Sequence, residues 1–302
     1  MTFQQTILNF YREHRRDFPW RETRDPYAIL VSEIMLQQTQ AERVVPFFNR
    51  WMKRFPAPES LASAKVSEVL KLWQGLGYNR RVLNLKRSAE MIVKEYGGVF
   101  PKTIETIDAL PGVGPYTAGA VCAFAFGIPS AFIETNIRTV YLHFFFKGKK
   151  KVKDEEILKV VERTLPTPSS ILPLAPTTLP RGLGTPPRAG GEGERRREHS
   201  NILKNVGVST RDWYNALMDY GAMLKKTTGN LNTRSTHYTK QSVFIGSRRQ
   251  VRGAILRLAT EKGTVKADDF KQYASVHSVA DIISELAGEG FLKKKGNGFK
   301  LA

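Results

Sequence analysis

The fold expected for this chain depends on one stretch of eight residues, Leu110-Pro111-Gly112-Val113-Gly114-Pro115-Tyr116-Thr117. It lies between two helical patterns, over residues 104–110 and 116–126. Its two glycines permit a tight backbone turn, and the helix that follows begins with N–H groups directed outward. A turn of this kind can receive a phosphate diester, although an isolated Gly-Val-Gly turn usually only links two helices. Its meaning therefore depends on the motifs around it.

The sequence around the turn has helical periodicity from residue 2 to about residue 165. Asp25 followed by Pro26 is a typical helix start, with an N-cap and then proline at the first helical position. An apolar stripe comes next: Ile29, Leu30, Ile34 and Leu36. Further helices are predicted over 41–55, 66–73, 80–96 and 136–146. No part of this region alternates with period two, so it is predicted to be all-α.

Composition limits the classes of function that remain. The 302 residues include 47 Lys and Arg against 28 Asp and Glu, for a net charge of +19, which favours a polyanionic partner. No run of about 18 apolar residues is present, so a membrane span is not expected. The single cysteine, Cys122, excludes a disulfide framework and a cluster or zinc finger built on several cysteines. The five histidines lack metal-site spacing.

The chain changes character after residue 165. Residues 166–199 hold seven prolines, five glycines and five arginines, a composition that predicts a flexible insertion. Helical signal returns at residue 210, and residues 230–241 are predicted to be a loop. Residues 241–302 then predict three short helices and a hairpin turning at Gly296-Asn297-Gly298, which is typical of a winged helix. This segment has a net charge of +5 and favours DNA contact, with a protein-docking role as the alternative.

Several motifs together carry a family resemblance. Residues 18–142, with a later stretch, resemble the helix-hairpin-helix (HhH-GPD) DNA glycosylases and, among them, the MutY-like adenine glycosylases. The matching stretches are Phe18-Pro19-Trp20-Arg21, Asp25-Pro26-Tyr27, the nine residues 32–40, the six residues 73–78, the hairpin 110–120 and the nine residues 215–223. The resemblance implies an all-α fold with a two-lobed helix-hairpin-helix glycosylase core; it does not extend to the C-terminal segment, whose own pattern predicts a small winged-helix-like (α+β) domain. The core would span 1–240, with a six-helix lobe over about 22–130 and a second lobe from 1–21 and 131–240, and the C-terminal domain would span 241–302.

The proposed chemistry needs two carboxylates. Hydrolysis of an N-glycosidic bond requires a proton on the leaving base and stabilisation of the positive charge on the sugar. Glu33 lies in the apolar run 31–36, where burial would raise its pKa and favour a protonated acid. By resemblance, Glu33 matches the glutamate that protonates the purine. Glu134 stands where relatives have an aspartate, and Asn136 matches the asparagine that supports it.

The resemblance also assigns the remaining site residues. Tyr116 occupies the position where bifunctional relatives have a lysine nucleophile, so a monofunctional enzyme is expected, with the tyrosine holding a catalytic carboxylate. Gln38 matches a residue inserted into the DNA helix once the base is flipped out. The expected DNA-binding residues are Gln38, Gly112, Val113, Gly114 and Thr117, and the expected base-pocket residues are Trp20, Arg21, Leu36 and Asp219.

The resemblance finally implies cofactors, partners and a place of action. Typical relatives hold an iron–sulfur cluster on four cysteines, which this sequence lacks, so no metal is expected apart from a monovalent cation that the hairpin could hold. The expected partner is double-stranded DNA with a mispaired or damaged base, bound by a monomer in the cytoplasm at the nucleoid. The favoured substrate is adenine opposite guanine or oxoguanine. The alternatives are another base, such as uracil, thymine or hypoxanthine, or a DNA-binding protein without catalysis.

Overall fold

The computed structural model describes residues 1–165, 208–240 and 243–302, so the insertion predicted over 166–199 lies outside the described residues. The chain divides into two compact units. The first, called here the hairpin unit, consists of Phe18–Val121 with Thr239–Ala302. The second, called here the α9 unit, consists of Met1–Asp17 with Cys122–Tyr238.

The hairpin unit begins with a short 3-10 turn, Pro19–Arg21, and continues through a series of helices. These are α2 Pro26–Leu36, α3 Ala41–Arg54, α4 Pro58–Ala62, α5 Val66–Trp73, α6 Arg80–Tyr96, α7 Ile104–Asp108 and α8 Pro115–Val121. Helix α2 is the central element, because every residue from position 27 to position 35 is buried. It packs against α3, α6 and α8. A helix that is buried on all sides has to be apolar on all sides, which is what residues 27–36 show apart from Ser32 and Glu33.

The C-terminal part of the hairpin unit contains two helices and a strand pair. In the order of the whole chain, the helices are α12 Arg248–Lys262 and α13 Val279–Gly288, with a 3-10 segment, Ala267–Tyr273, between them. Strands β1 Leu292–Lys295 and β2 Gly298–Leu301 pair antiparallel, and Lys293 faces Lys300 across the pair. Ser247 caps α12 and Ser278 caps α13 through their side chains. The hairpin and the first and third predicted helices are therefore confirmed, whereas the middle predicted helix is a 3-10 segment.

The α9 unit contains α1 Phe3–His14, a π-helical turn Cys122–Phe126, α9 Thr135–Phe144, α10 Asp154–Thr164 and α11 Thr210–Thr227. Its core forms where α11 packs on both α9 and α1. Phe3 is surrounded by the rings of Tyr141, Phe144, Phe145 and Trp213, with centroid distances of 4.8 to 5.7 Å. Edge-to-face aromatic packing of this kind fixes the directions of the helices that carry the rings.

The prediction of a loop over residues 230–241 is partly wrong. The structure has a 3-10 turn at Leu231–Arg234, and Asn232 in it is buried. Its side-chain amide donates to the hydroxyl of Thr139 and to the backbone oxygen of Thr135, at 2.8 and 3.2 Å. The segment is therefore held on α9 by specific hydrogen bonds, which a polar composition alone does not reveal.

The described residues contain no helix that is both long and apolar enough to cross a bilayer. The prediction of an all-helical core with a small C-terminal strand pair is confirmed.

Candidate active site

Glu33 is the buried acid of α2. Only 6% of the residue is exposed, and the Tyr116 hydroxyl donates a hydrogen bond of 2.9 Å to its Oε2. Because Tyr116 is near the start of α8, and α8 packs against α2, the hydrogen bond joins the hairpin helix to the acidic side chain. A buried carboxyl beside a tyrosine hydroxyl is held in one orientation, as a proton donor to a ligand must be.

The hairpin between α7 and α8 has the tight geometry that its sequence predicts. Gly112 has φ +76°, and a Cβ at this position would lie 2.5 Å from the Cβ of Asn84. The Ser88 hydroxyl donates to the Pro111 carbonyl at 2.8 Å and so ties the turn to α6. The Ala118 N–H donates to the Gly114 carbonyl. The amide groups before Ala118 at the helix start are therefore directed away from the helix, as an anion site requires.

The hairpin residues expected to contact DNA differ in exposure. Gly112 is exposed, and Val113 and Gly114 are half-buried. Thr117, in contrast, is buried at 2% exposure, so a contact from this residue would have to use its backbone.

Gln38 lies in a strained turn after α2. It is exposed and has φ +58°, a conformation that residues other than glycine rarely adopt. The Arg81 guanidinium donates to the carbonyls of Ile34 and Met35 at 2.8 and 3.1 Å, and to the carbonyl of Gly77 at 3.1 Å. Burial lowers the pKa of Arg81 to about 10, so the guanidinium remains charged at neutral pH. Arg81 thus caps the end of α2, a role that no sequence motif indicates.

Two of the predicted base-pocket residues in the hairpin unit, Trp20 and Arg21, contact the ring of Phe18. Trp20 is buried and stacks on Phe18, with centroids 5.0 Å apart and 9° between the rings. The Arg21 guanidinium carbon lies 5.3 Å from the centroid of the same Phe18 ring. Leu36 is half-buried and is three positions after Glu33, which places the two on one face of α2.

Glu134 in the α9 unit is the N-cap of α9. Its Oε1 accepts hydrogen bonds from the backbone N–H groups of Asn136 and Ile137, both at 2.7 Å. Its Oε2 accepts a hydrogen bond of 3.2 Å from the side-chain amide of Asn136. The structure therefore brings Glu134 and Asn136 together, and it fixes the carboxyl group at the positive end of a helix.

Burial raises the pKa of Glu134 above its ordinary value. The hydrogen bonds from Asn136 and Ile137, and the charges of Lys225 and Arg138, act in the opposite direction without cancelling this effect. The ionised form of Glu134 consequently costs folding free energy at neutral pH. Such a cost is common where a charge serves a function.

Gly221 on α11 lies directly against the first turn of α9. A Cβ at this position would be 2.2 Å from the carbonyl oxygen of Asn136. Because that obstacle is backbone, it cannot rotate away, and only glycine allows the two helices to approach so closely. Gly221 belongs to the family-like stretch 215–223, but the sequence of that stretch does not indicate this contact.

We expect Gly221→Ala to displace α9 and the Glu134 carboxyl with it. Overpacking of this kind costs about 1–3 kcal/mol or more, which we expect to appear as a Tm several degrees lower. Gly253→Ala on α12 is the matched control, because a Cβ there meets nothing within 4 Å. Thermal unfolding of both variants checks the prediction, and equal Tm values would contradict it.

Asp219, expected in the base pocket, is bound to Arg16 in the α9 unit. It is 3% exposed, and its Oδ1 accepts a hydrogen bond of 2.7 Å from Arg16 Nε. Its Oδ2 accepts another, of 3.0 Å, from the backbone N–H of Arg16. Asp219 therefore fixes the chain just after α1.

A four-cysteine cluster does not fit the residues of this chain. Such a cluster needs four thiolates, whereas the sequence has only Cys122, which is buried in the π-helical turn. The stretch after α11 is bound by other means. The Arg234 side chain donates to the carbonyls of Phe146, Lys149 and Leu142 after and at the end of α9. Within the described residues, no group of three or more metal-ligating side chains is present either.

Known proteins include relatives of this chain by sequence. The adenine DNA glycosylase of Buchnera aphidicola subsp. Baizongia pistaciae is 36% identical over 168 residues, which cover 55% of this chain and 48% of that protein. The adenine DNA glycosylase of Homo sapiens is 42% identical over 147 residues, which cover 46% of this chain and 27% of that protein. This chain therefore spans about half the length, or less, of these relatives.

A solved structure of a thermostable thymine-DNA glycosylase is also similar. It has a TM-score of 0.52 and 28% sequence identity, and the match covers 78% of this chain and 94% of that one. Residues 31–166 match the sequence profile of the HhH-GPD superfamily base excision DNA repair proteins. This range includes Glu33, the hairpin and Glu134. Residues 31–166 of this chain are therefore similar in sequence to the HhH-GPD superfamily domain.

Proposed function

We propose that this protein is a monofunctional DNA glycosylase of base excision repair. It would hydrolyse the N-glycosidic bond of a flipped-out adenine opposite guanine or oxoguanine. The observation that carries the proposal is the buried Glu33 carboxyl, held by Tyr116 of the hairpin helix at 2.9 Å. The hairpin that would bind a phosphate and the fixed acid that would protonate the base lie on one structural unit.

In the proposed reaction, Glu33 donates a proton to a ring nitrogen of the base. Adenine is a poor leaving group until it is protonated, so proton donation allows the bond to break. Tyr116 holds the donor in place. Glu134 would stabilise the positive charge that develops on the sugar, and Asn136 would fix the Glu134 carboxyl for this purpose.

The absence of an amine at position 116 implies hydrolysis rather than strand cleavage. Tyrosine cannot form a Schiff base with the sugar, whereas a lysine could. The proposed product is therefore an abasic site in an intact strand. Borohydride, which reduces a Schiff base to a stable covalent bond, should trap no complex of this protein with DNA.

The proposed partner is double-stranded DNA with a mispaired or damaged base, bound by one copy of the chain. The exposed Gln38 would enter the helix where the base has left, and the hairpin would bind a phosphate. Trp20, Arg21 and Leu36 would line the side of the base. We also propose that the hydrogen bonds of Asn232 and Arg234 hold α9 at the place where the family resemblance implies a four-cysteine cluster.

A second candidate substrate is thymine opposite guanine. The thymine-DNA glycosylase named above is 94% covered by the match, while the adenine glycosylases are covered by less than half. In addition, Glu134 is one methylene longer than the aspartate that the family resemblance implies at this position, and a shift of about 1 Å can change a rate by roughly a hundredfold. The two candidates differ in the base, and the same chemistry would serve both.

A panel of labelled duplexes tests the proposal. Each duplex carries one mispair: adenine with guanine, adenine with oxoguanine, thymine with guanine or uracil with guanine. After incubation and alkali, we expect cleavage at adenine, and without alkali an intact strand. Cleavage at thymine alone would establish the second candidate. Tight binding without cleavage of any duplex would overturn both in favour of a DNA-binding protein.

A further inference from the structure

Two turns of the hairpin unit share one half-buried arginine, Arg81. Among its described residues, Gln38 and Tyr78 are the residues other than glycine with positive φ, at +58° and +48°. Arg81 donates to carbonyls on both sides, at Ile34 and Met35 before Gln38 and at Gly77 before Tyr78. We call residues 36–39 and 74–79 the paired turns. Strained backbone persists only where the surroundings over-determine it, and such positions concentrate at functional sites.

A second arginine reaches the paired turns from the C-terminal segment. Arg249, near the start of α12, donates a hydrogen bond to the Tyr78 hydroxyl. Its guanidinium carbon lies 5.3 Å from the centroid of the Tyr78 ring, and the corresponding distance for Arg81 is 5.4 Å. Tyr78 therefore contacts two cations, one from each part of the hairpin unit. Both contacts fall within the range of cation–π attraction.

The C-terminal segment is anchored close to this point. Glu289, just after α13, accepts a hydrogen bond from Arg252 at 2.7 Å and one from Arg80 at 2.8 Å. Arg87 donates to the backbone oxygen of Glu289 at 3.3 Å. Arg80 and Arg87 belong to α6 and Arg252 belongs to α12, so Glu289 links the two helices. Because Arg249 lies on α12, these hydrogen bonds also help to keep Arg249 close to Tyr78.

We propose that Arg249 is a positioning residue for base recognition, through which residues 243–302 hold the paired turns in the conformation that receives DNA. The inference rests on the proposed function, because it assumes that Gln38 enters the DNA. It assigns the C-terminal segment a part in recognition that goes beyond general attraction to phosphate. Loss of the Arg249 contact would release Tyr78 and, through Arg81, loosen the turn that carries Gln38.

The test compares two neighbouring arginines of α12. Arg249→Gln removes the contact with Tyr78, whereas Arg248→Gln removes the same charge from an exposed ion pair with Glu285. Under single-turnover conditions with saturating protein, we expect Arg249→Gln to slow base release about tenfold and Arg248→Gln to leave it unchanged. The Tm and the Kd for duplex should change little and equally in both variants. Arg249→Lys, which keeps a donor and a cation, should restore most of the rate.

A double-mutant cycle with Tyr78→Phe tests the pathway of the effect. If Arg249 acts through the Tyr78 hydroxyl, then the double variant should be no slower than Arg249→Gln alone, because the two changes remove one interaction. Full additivity would overturn the proposal. A weaker Kd with an unchanged rate at saturation would also overturn it, and would make Arg249 a phosphate ligand. A large loss of Tm with no difference between Gln and Lys would mean a structural role only.

Hydrogen exchange separates this inference from the proposed function. It follows the amides of residues 36–39 and 74–79 in the full chain without DNA, so it needs no enzymatic activity. We expect faster exchange in both turns for Arg249→Gln and not for Arg248→Gln. Unchanged exchange would overturn the inference even if the wild type is active. Faster exchange in Arg249→Gln, together with a wild type that cleaves no duplex, would support the structural coupling and contradict the proposed function.

Discussion

Replacing Glu33 with glutamine is expected to reduce base release by a factor of about 10²–10⁴, the contribution usual for a positioned general acid. Glutamine has nearly the same shape and keeps an oxygen for the Tyr116 hydroxyl, but it has no acidic proton to give. We expect the substitution to change the free energy of unfolding little, because glutamine is no larger than the glutamate that it replaces in the buried helix α2. Single-turnover rates on the preferred duplex, after alkali treatment, measure the effect.

Two further variants give this prediction its controls. Glu68→Gln removes a carboxylate from an exposed ion pair with Arg54 in the same unit, and it should keep the full rate. Tyr116→Phe removes only the hydroxyl that holds Glu33, and it should slow the reaction about tenfold, as expected for a hydrogen bond to an ionisable group. A Glu33→Gln protein that folds, binds duplex and releases the base at the normal rate would remove Glu33 from the mechanism.

The parts of the fold that the sequence predicts are those set by local pattern. Helix α2 follows from its N-cap, its proline and its unbroken apolar run, and its bounds are those of the stripe behind Asp25. The hairpin follows from Gly112, whose φ of +76° requires a residue without a side chain. The C-terminal strand pair follows from the turn at Gly296-Asn297-Gly298. In each case, one short stretch contains all the information needed.

The parts that the sequence does not predict depend on pairs of residues far apart in the chain. Arg81 caps a helix that ends 45 positions earlier, and Arg249 binds a tyrosine 171 positions earlier. Both look like ordinary surface cations in a chain with 47 Lys and Arg. Asn232 is similar, since a polar residue in a polar stretch predicts a loop. In a chain with so many Lys and Arg residues, the sequence alone does not distinguish Arg81 and Arg249, which make contacts within the fold, from cations on the surface.

In the candidate site, too, a sequence motif predicts some contacts, whereas others depend on residues far apart in the chain. The bond between Tyr116 and Glu33 agrees with the expectation that the tyrosine holds a carboxylate, since the motif places both residues on elements that pack together. The contacts of Asp219 with Arg16 and the burial of Thr117 came from tertiary packing, which no motif contains. The roles assigned to these residues remain predictions.

Replacing Glu134 with glutamine is expected to slow base release about a hundredfold or more at neutral pH while leaving the protein as stable or more stable. The rate should fall because an amide cannot balance the positive charge on the sugar. The stability should not fall, because glutamine keeps an oxygen for the N–H groups of Asn136 and Ile137. Glu134→Ala is the control, since it also loses the cap of α9, which typically costs about 1 kcal/mol.

The pH dependence gives this prediction its sign. Burial raises the folded-state pKa of Glu134, so the proton is bound more tightly in the folded chain than in the unfolded chain. The stabilisation by that proton is complete below the unfolded pKa, and it is lost as the pH rises through the folded pKa. The Tm advantage of Glu134→Gln should therefore appear at neutral pH and vanish in acid.

Over the same range, the wild-type rate should fall as the pH falls through the raised pKa, because only the ionised carboxylate stabilises the sugar cation. In Glu134→Gln this limb of the rate profile should disappear, and a limb that survives would assign the titration to a different group.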